Sequence, residues 1–457
     1  MTIEQVREII ARHRAFFGSG RTSDLSFRKE QLRVLRKALV DNEAVLLNAL
    51  RRDLGKPALE AFGGDISVVL NEIDGALKHL RRWSRPRRVR TPLAFLPARC
   101  AVFPEPYGVA LIIGAWNFPV QLLFGPLVAA MAAGNCAVLK PPVASPHTTR
   151  VMAGIIRDQF DPAYLSVVEG GAEQVQMLLE DRFDYLFFTG GTSTGRIVMA
   201  AAARHLTPVT LELGGKNPCI VDRGVDLDVA ARRIVWGKFF NAGQSCVAAD
   251  YLLADRRVKG ALVSRIVETI RSFYGDDAAR SPDYGRIVDD AHFTRLERLL
   301  DRGDIVIGGE RDRAARFIAP TVIDNVSAND PIMQEEIFGP LLPVIAYDDI
   351  GEAIAFVNSR PRPLALYIFS RDRALQDRVL SATSSGGAAV NDVVIQETIA
   401  GLPFGGIGDS GMGRYHGRAG FDTFSHQRSI VRSSFFFDIF LRYPPYRDHL
   451  KLLRKIF

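Results

Sequence analysis

Cysteine is scarce in this chain of 457 residues, and none of its four cysteines forms a Cys-x-x-Cys pair. Cys100, Cys136, Cys219 and Cys246 are widely spaced, which excludes the ligand pattern of a structural zinc site and offers no disulfide framework. No metal site is expected, and a reducing compartment fits this usage best, so the cytoplasm is the expected location. The stretch from Met1 to Phe17 lacks the continuous apolar core and small-residue cleavage site of a signal peptide, and export is not expected. Internal repeats and low-complexity tracts are missing as well. Between Tyr107 and Leu139 there is no charged residue, a run long enough to cross a bilayer. Its punctuation argues otherwise: Asn117, Gln121 and Asn135 are costly in lipid, and Pro119 and Pro126 are expected to break a single long helix.

What is present is ordinary for a globular protein, with 47% hydrophobic and 24% charged residues. The length suggests roughly two to three domains. Lys and Arg total 58 against 51 Asp and Glu, a mild basic excess. Arg81, Arg82, Arg85, Arg87, Arg88 and Arg90 crowd around Pro86, but only Trp83 stands among them. A solvated linker is expected there, and no nucleic-acid partner.

Periodicity gives alternating helices and strands. Leu32, Leu35 and Leu39 share a helical face, Asp41-Asn42-Glu43 restarts a helix that Gly55 and Pro57 end, and Ser67 to Trp83 reads as another. Strands follow at Val109 to Ile113, Cys136 to Leu139, Tyr164 to Val168, Tyr185 to Phe188 and Pro208 to Leu213. Between them come helices from Pro119 to about Gly134, after Ser145 (as N-cap) and Pro146, near Ala172 to Leu179, and from Gly195 to His205. This pattern implies a doubly wound parallel sheet, whose ligand crevice lies beyond the carboxyl ends of its strands. A second alternation starts with a strand at Tyr251 to Ala254 and a helix from Ala261 to Tyr274, enough for a second α/β domain. From Gly401 to Gly417 seven glycines alternate with Phe404, Met412 and Tyr415, so an ordered loop pressed against the body is expected there.

Three isolated signals carry chemistry. Cys246 ends the polar loop Asn241-Ala242-Gly243-Gln244-Ser245-Cys246, where small neighbours leave a thiol open to a substrate; a buried core cysteine is the other reading. Glu212 ends an apolar strand before Gly214-Gly215, where partial desolvation would make it a general base; a salt-bridged glutamate would look alike. Asn117, at a strand end, could donate to an oxyanion or only form a turn. The loop from Gly190 through Gly191, Thr192, Ser193 and Thr194 to Gly195 stands between a strand and a helix, where backbone amides meet phosphate or ribose. Thr192 breaks the Gly-x-Gly-x-x-Gly fingerprint, so a plain turn fits equally. Trp116, Trp236, Phe239 and Phe240 are read either as an apolar tunnel or as core.

With Ala115-Trp116-Asn117-Phe118-Pro119, Leu139-Lys140-Pro141, Phe188 to Gly195, Leu211 to Lys216, Gly243 to Cys246 and Glu335-Glu336-Ile337-Phe338-Gly339-Pro340 in that order, nearly the whole chain resembles the NAD(P)-dependent aldehyde dehydrogenases. Leu402 to Gly406, Met412 to Gly417, Phe424-Ser425-His426 and Arg442-Tyr443-Pro444-Pro445-Tyr446 make it most similar to the class 3 branch, which acts on fatty and aromatic aldehydes. The resemblance implies that Cys246 attacks the aldehyde, that the Asn117 amide and the Cys246 N–H hold the oxyanion, and that Glu212 activates the water that hydrolyses the thioester. It further implies cofactor contacts by Lys140, Glu336 and Phe338, with Gly190 and Gly195 as bare backbone beside Gly191 and Thr192. A CoA-acylating enzyme and a catalytically silent cofactor-binding scaffold are the alternatives.

The implied fold is α/β: a Rossmann-type doubly wound cofactor domain (1–86 and 109–210), an α/β catalytic domain (211–393), and a small bridging and oligomerisation sheet with the tail (87–108 and 394–457). A homodimer is implied, with an apolar aldehyde as substrate. Some relatives continue into a membrane anchor; here, with the chain ending at Phe457, no spanning anchor is expected, and at most a weak peripheral contact. Three departures stand out. Val143 occupies a place where many relatives carry an acid that repels a 2′-phosphate, so NADP is expected to be tolerated beside NAD. Gln396 replaces a frequent histidine near the substrate mouth, and Gly63-Gly64 replace bulky aromatics there.

Overall fold

The computed structural model describes residues 2–92, 95–300, 303–436, 438, 442–446 and 449–456; Met1 and Phe457 lie outside the described residues. Val109–Ile113 and Cys136–Lys140 are buried along their whole length, as strands covered on both faces must be. They lie centrally in a six-stranded sheet that runs Gly411–Met412, Val209–Glu212, Tyr185–Thr189, Val109–Ile113, Cys136–Lys140, Leu165–Val167. All pairs are parallel except the first. The order reverses beside Val109–Ile113, so the crevice opens at the carboxyl ends of that strand and of Tyr185–Thr189.

A second, seven-stranded sheet takes its central strands Pro218–Val221, Tyr251–Asp255, Leu341–Tyr347 and Ala365–Phe369 from the following chain, all parallel. A third sheet joins Arg87–Val89, Arg99–Pro106 and Ser425–Arg432, antiparallel throughout. The α/β architecture expected from the sequence is present, including that small third sheet.

Several local expectations need correction. The helix Pro119–Ala133 runs straight through Pro126. Every residue of that helix is buried, and packing on all sides outweighs the roughly 3 kcal/mol that a helical proline costs. Ser145 does not cap the helix Pro146–Gln159 with its side chain; Asp53, from the helix Glu43–Leu54, accepts from the His147 and Thr148 N–H groups at 3.1 and 2.8 Å. A carboxylate at a helix N-terminus serves the same purpose, with charge added. The helix after Gly190-Gly191 begins at Thr192, not Gly195, and the later one begins at Arg256, not Ala261. Asp255 accepts from the Arg257 N–H there, which starts the helix a full turn earlier. Arg87 and Arg88 belong to a fully exposed strand, so the arginine-rich stretch is only in part a linker.

The glycine-rich segment is ordered, as expected. Phe404 and Tyr415 are buried and exchange backbone hydrogen bonds, and Gly411 pairs with Glu212. A side chain at Gly411, held at φ +137°, would come within 2.1 Å of the Leu211 carbonyl oxygen. Among the described residues, no helix is long and apolar enough to cross a membrane.

Candidate active site

The loop that carries Cys246 is held in a conformation few sequences tolerate. Asn241, Ala242 and Gly243 are all left-handed, with φ of +51°, +51° and +73°, and a side chain at Gly243 would lie 2.2 Å from the Gly339 carbonyl oxygen. Such strain persists only where neighbours enforce it. They do so through buried amides. The Gln244 side chain donates to the Asn241 and Arg286 carbonyls at 3.0 and 2.9 Å and accepts the Val288 N–H at 2.9 Å. Asn217 Nδ2 donates to the Cys246 carbonyl at 2.7 Å. Ser245 and Val247 are buried while Cys246 itself keeps partial access. A packed core cysteine, the other reading of this residue, would have none.

Asn117 reaches this loop from the end of the strand Val109–Ile113. Its Nδ2 donates to the Gln244 carbonyl at 3.3 Å, two residues from the thiol. Its own carbonyl oxygen is clamped by Lys56 Nζ at 2.7 Å and by Asn241 Nδ2 at 3.0 Å. Lys56 pairs with Asp65 at 2.7 Å, both side chains being fully buried, and its ammonium lies 3.9 Å from the centre of the Phe118 ring. Neither Lys56 nor Asp65 belongs to a motif that the sequence singles out.

Glu212 ends the strand Val209–Glu212, which Tyr185–Thr189 separates from Val109–Ile113. It is 3% exposed, and neither carboxylate oxygen has a hydrogen-bond partner among the described residues. Burial, and then the charge of Glu397, hold its pKa well above the ordinary carboxyl range. A salt-bridged glutamate would show the reverse. Burial also pushes the Cys246 thiol up, with the charges of Glu397, Glu336 and Glu212 adding to it. The Glu212 charge thus bears on Cys246, and Asn117 is bonded to the loop that carries it.

Two of the residues with expected cofactor contacts, Thr192 and Glu336, line one cavity. A cavity of about 590 Å³ is bounded by Thr192, Gly214, Gly215 and Glu336, among others. At Gly214 a side chain would overlap the Glu336 carboxylate, at 2.0 Å. Burial pushes the Glu336 carboxyl up to about 8. Gly191 precedes the helix Thr192–His205 and has nothing near the place a side chain would occupy, so the helix N-terminus stands open. Gly190 donates its N–H to the Glu212 carbonyl at 3.0 Å. Gly195 is buried, and a side chain there would meet Leu213 at 2.7 Å, so its bareness serves helix-to-strand packing before any ligand. Lys140 is buried at the end of its strand; Nζ donates to the Pro141 carbonyl at 2.7 Å, and burial draws its pKa down to about 8. Phe338, at φ +47°, meets Trp116 edge-on at 5.3 Å.

On the opposite side a cavity of about 280 Å³ lies beside Ser245, walled by Phe118, Trp236, Phe240 and Val68, with Gly63 and Gly64 on its lining. This separates the four aromatic residues left open by the sequence: Trp236 and Phe240 line the cavity, Phe239 is core, and Trp116 belongs with Phe338. Gln396 turns away to donate to the Tyr367 hydroxyl at 3.2 Å. Its neighbour Glu397 lines the cavity instead, hydrogen-bonded to Gln121 at 2.8 Å. Sequence reading missed Glu397, Gln121, Lys56 and Asp65. Gln121 stands in an apolar run and the other three beside glycine, proline or further polar residues, and only the fold brings them to the site.

The aldehyde dehydrogenase family model matches residues 1–430. Aldehyde dehydrogenase family 3 member A2 of Mus musculus is 47% identical over 95% of this chain and 90% of its own length. A Rattus norvegicus protein named aldehyde dehydrogenase, dimeric NADP-preferring, is 44% identical over 97% of this chain and 98% of its own. The structure of the substrate-bound state of Staphylococcus aureus AldH superposes with a TM-score of 0.97 at 46% identity, covering 100% of this chain and 99% of that one.

Proposed function

This chain belongs to the aldehyde dehydrogenase family and resembles its class 3 members, and we propose that Cys246, Glu212 and Asn117 carry out its NAD(P)-dependent oxidation of an aldehyde to the carboxylic acid. The observation that carries this reading is the buried Glu212 carboxyl, without a hydrogen-bond partner among the described residues, whose charge bears on a partly accessible thiol. The Cys246 sulfur attacks the carbonyl carbon, its proton passing to water through the partial access of the thiol, as the carbon–sulfur bond forms and the carbonyl π electrons move onto oxygen. The oxygen that gains charge is stabilised by the Asn117 side-chain amide and the Cys246 N–H. The cofactor, when bound, supplies the hydride acceptor. Glu212, whose proton affinity burial raises, takes a proton from the water that cleaves the thioester, and the Cys246 thiol is restored.

The residues present fit a dinucleotide. Gly191 leaves the amides of a helix N-terminus open, and Gly214 leaves room for a carboxylate beside the crevice. Lys140 and Glu336 would hold the two riboses, Phe338 would pack beside the nicotinamide, and Gly190, Gly191 and Thr192 would border the phosphates. Val143, 57% exposed, puts no negative charge beside the place of a 2′-phosphate, which supports use of NADP as well as NAD.

The apolar and aromatic wall of the smaller cavity supports an apolar aliphatic or aromatic aldehyde as substrate. We assign residues 1–86 and 109–210 to cofactor binding, 211–393 to catalysis, and 87–108 with 394–457 to bridging. The exposed edge strand Ser425–Arg432 of the third sheet supports pairing into a homodimer, and the cysteine usage supports a cytoplasmic location. The test is reduced-nicotinamide formation with NAD⁺ and NADP⁺ across short, long and aromatic aldehydes, with Cys246→Ala as control. Acid product without coenzyme A separates this reading from acyl transfer to a thiol, and cofactor binding without any turnover would favour the silent scaffold.

A further inference from the structure

One charged group in the cavity beside Cys246 is used by neither the motifs nor the reaction. Glu397 sits on the short turn Ile395–Glu397, just after Val394, a β-branched residue at φ +67° and ψ −37°. That strain persists only where the surroundings impose it, and here it accompanies a carboxyl that lines the cavity. Oε1 accepts from Gln121 Nε2 at 2.8 Å, Gln121 itself being 3% exposed, and among the described residues no donor reaches the second oxygen. Glu60, the other carboxylate on the lining, also holds one hydrogen bond, from the Asn241 N–H at 2.9 Å, which ties it to the backbone of the strained loop. Ser245, next in the chain to Cys246, lines the same cavity, which sets the Glu397 carboxyl on the side of the loop that carries the thiol.

A half-satisfied carboxyl among Phe118, Trp236 and Phe240 is costly to dry. A plain alkyl chain filling the cavity displaces water from it and returns no hydrogen bond; a chain with an O–H or N–H group returns one. We propose that Glu397 is a specificity-determining residue that favours aldehydes whose otherwise apolar body carries a hydrogen-bond donor, hydroxyl or amino, a few atoms from the carbonyl carbon. This rests on the smaller cavity being the aldehyde's tunnel.

The experiment compares kcat/KM for plain, hydroxy-substituted and amino-substituted alkanals of matched length, with full-length parent, Glu397→Leu and Glu397→Gln. The parent is expected to prefer a donor-bearing aldehyde by roughly tenfold to a hundredfold, since sites built to hydrogen-bond a substrate group reject analogues lacking it. Glu397→Leu reverses that order, losing the donor-bearing substrate and gaining the plain one. Glu397→Gln keeps preference for a hydroxyl and loses preference for an ammonium, which tells the two donors apart. No donor preference in the parent, or the same ratio in Glu397→Leu, overturns the proposal. A ratio of kcat/KM values does not depend on the fraction of enzyme that is folded, and Glu397→Ala supplies it if the leucine variant does not fold. A dependence on chain length that Trp236→Ala leaves unchanged would instead refute the tunnel itself.

Discussion

Replacing Lys56 by methionine tests how the oxyanion donor is held. Lys56 keeps one hydrogen bond to the Asn117 carbonyl and one to Asp65, with no solvent access, and Asp65 accepts the Val120 N–H at 3.1 Å at the start of the helix Pro119–Ala133. The variant fits the space but leaves Asp65 buried without its counter-ion. Removing one member of a buried pair costs about 3–5 kcal/mol, and the remaining N–H contact at a helix N-terminus favours the lower end. For a cooperative unit of roughly 150–250 residues, about 3 kcal/mol lowers the thermal midpoint by roughly 6–12 °C. Activity should fall more than stability alone explains, because Asn117 loses a fixed anchor; loss of an oxyanion donor costs roughly 10²–10³ in kcat. The double variant Lys56→Met/Asp65→Leu removes both charges and should recover most of the stability but not the kcat. Calorimetry and steady-state kinetics at a temperature where all forms are folded read the two effects separately. If Lys56→Met loses stability with kcat unchanged, the clamp has no part in placing Asn117; an unchanged midpoint refutes the energetic reasoning as well.

Glu212→Gln should still give a rapid burst of reduced cofactor equal to the enzyme present and then turn over roughly 10²–10⁴ times more slowly, since only the water step needs a base; stopped-flow absorbance reads this. Glu336 has a folded pKa of about 8, above the ordinary carboxyl value, so the folded state holds its proton longer than the unfolded chain. Its contribution is therefore fully present below the ordinary carboxyl pKa and is lost as pH rises toward 8, and Glu336→Gln should lose less stability than the parent over that window in denaturant titrations without cofactor. Val143→Glu should raise KM for NADP⁺ while leaving KM for NAD⁺ nearly unchanged, as judged by initial rates with each cofactor.

The alternation of apolar strands and amphipathic helices makes most of the architecture legible, because a strand such as Val109–Ile113, buried on both faces, has a nearly continuous apolar sequence. Cys246, Glu212 and Asn117 stand out for a related reason: each is a polar residue at an abrupt end of an apolar element. Lys56, Asp65 and Glu397 carry no such mark. Lys56 reads as the close of a helix and Glu397 as a loop glutamate, and their burial comes only from segments that meet in the fold, as residue 397 does with Gln121. The helix Pro119–Ala133 is expected over nearly this span, and only the break expected at Pro126 fails, since local propensity yields to tertiary packing.

The pairing of Gly411 and Met412 with Glu212 and Leu211 has a consequence for biosynthesis. A ribosome makes the chain from its N-terminus, so the strand Val209–Glu212 emerges with an open edge that its mate closes only after some two hundred further residues have been added. Until then Glu212, the proposed general base, lacks the backbone that fixes it, and an unpaired edge is a place where chains pair wrongly. Nascent chains truncated before residue 411 would thus carry every one of the proposed catalytic side chains and still be inert, so that chemical competence arrives only near the end of translation.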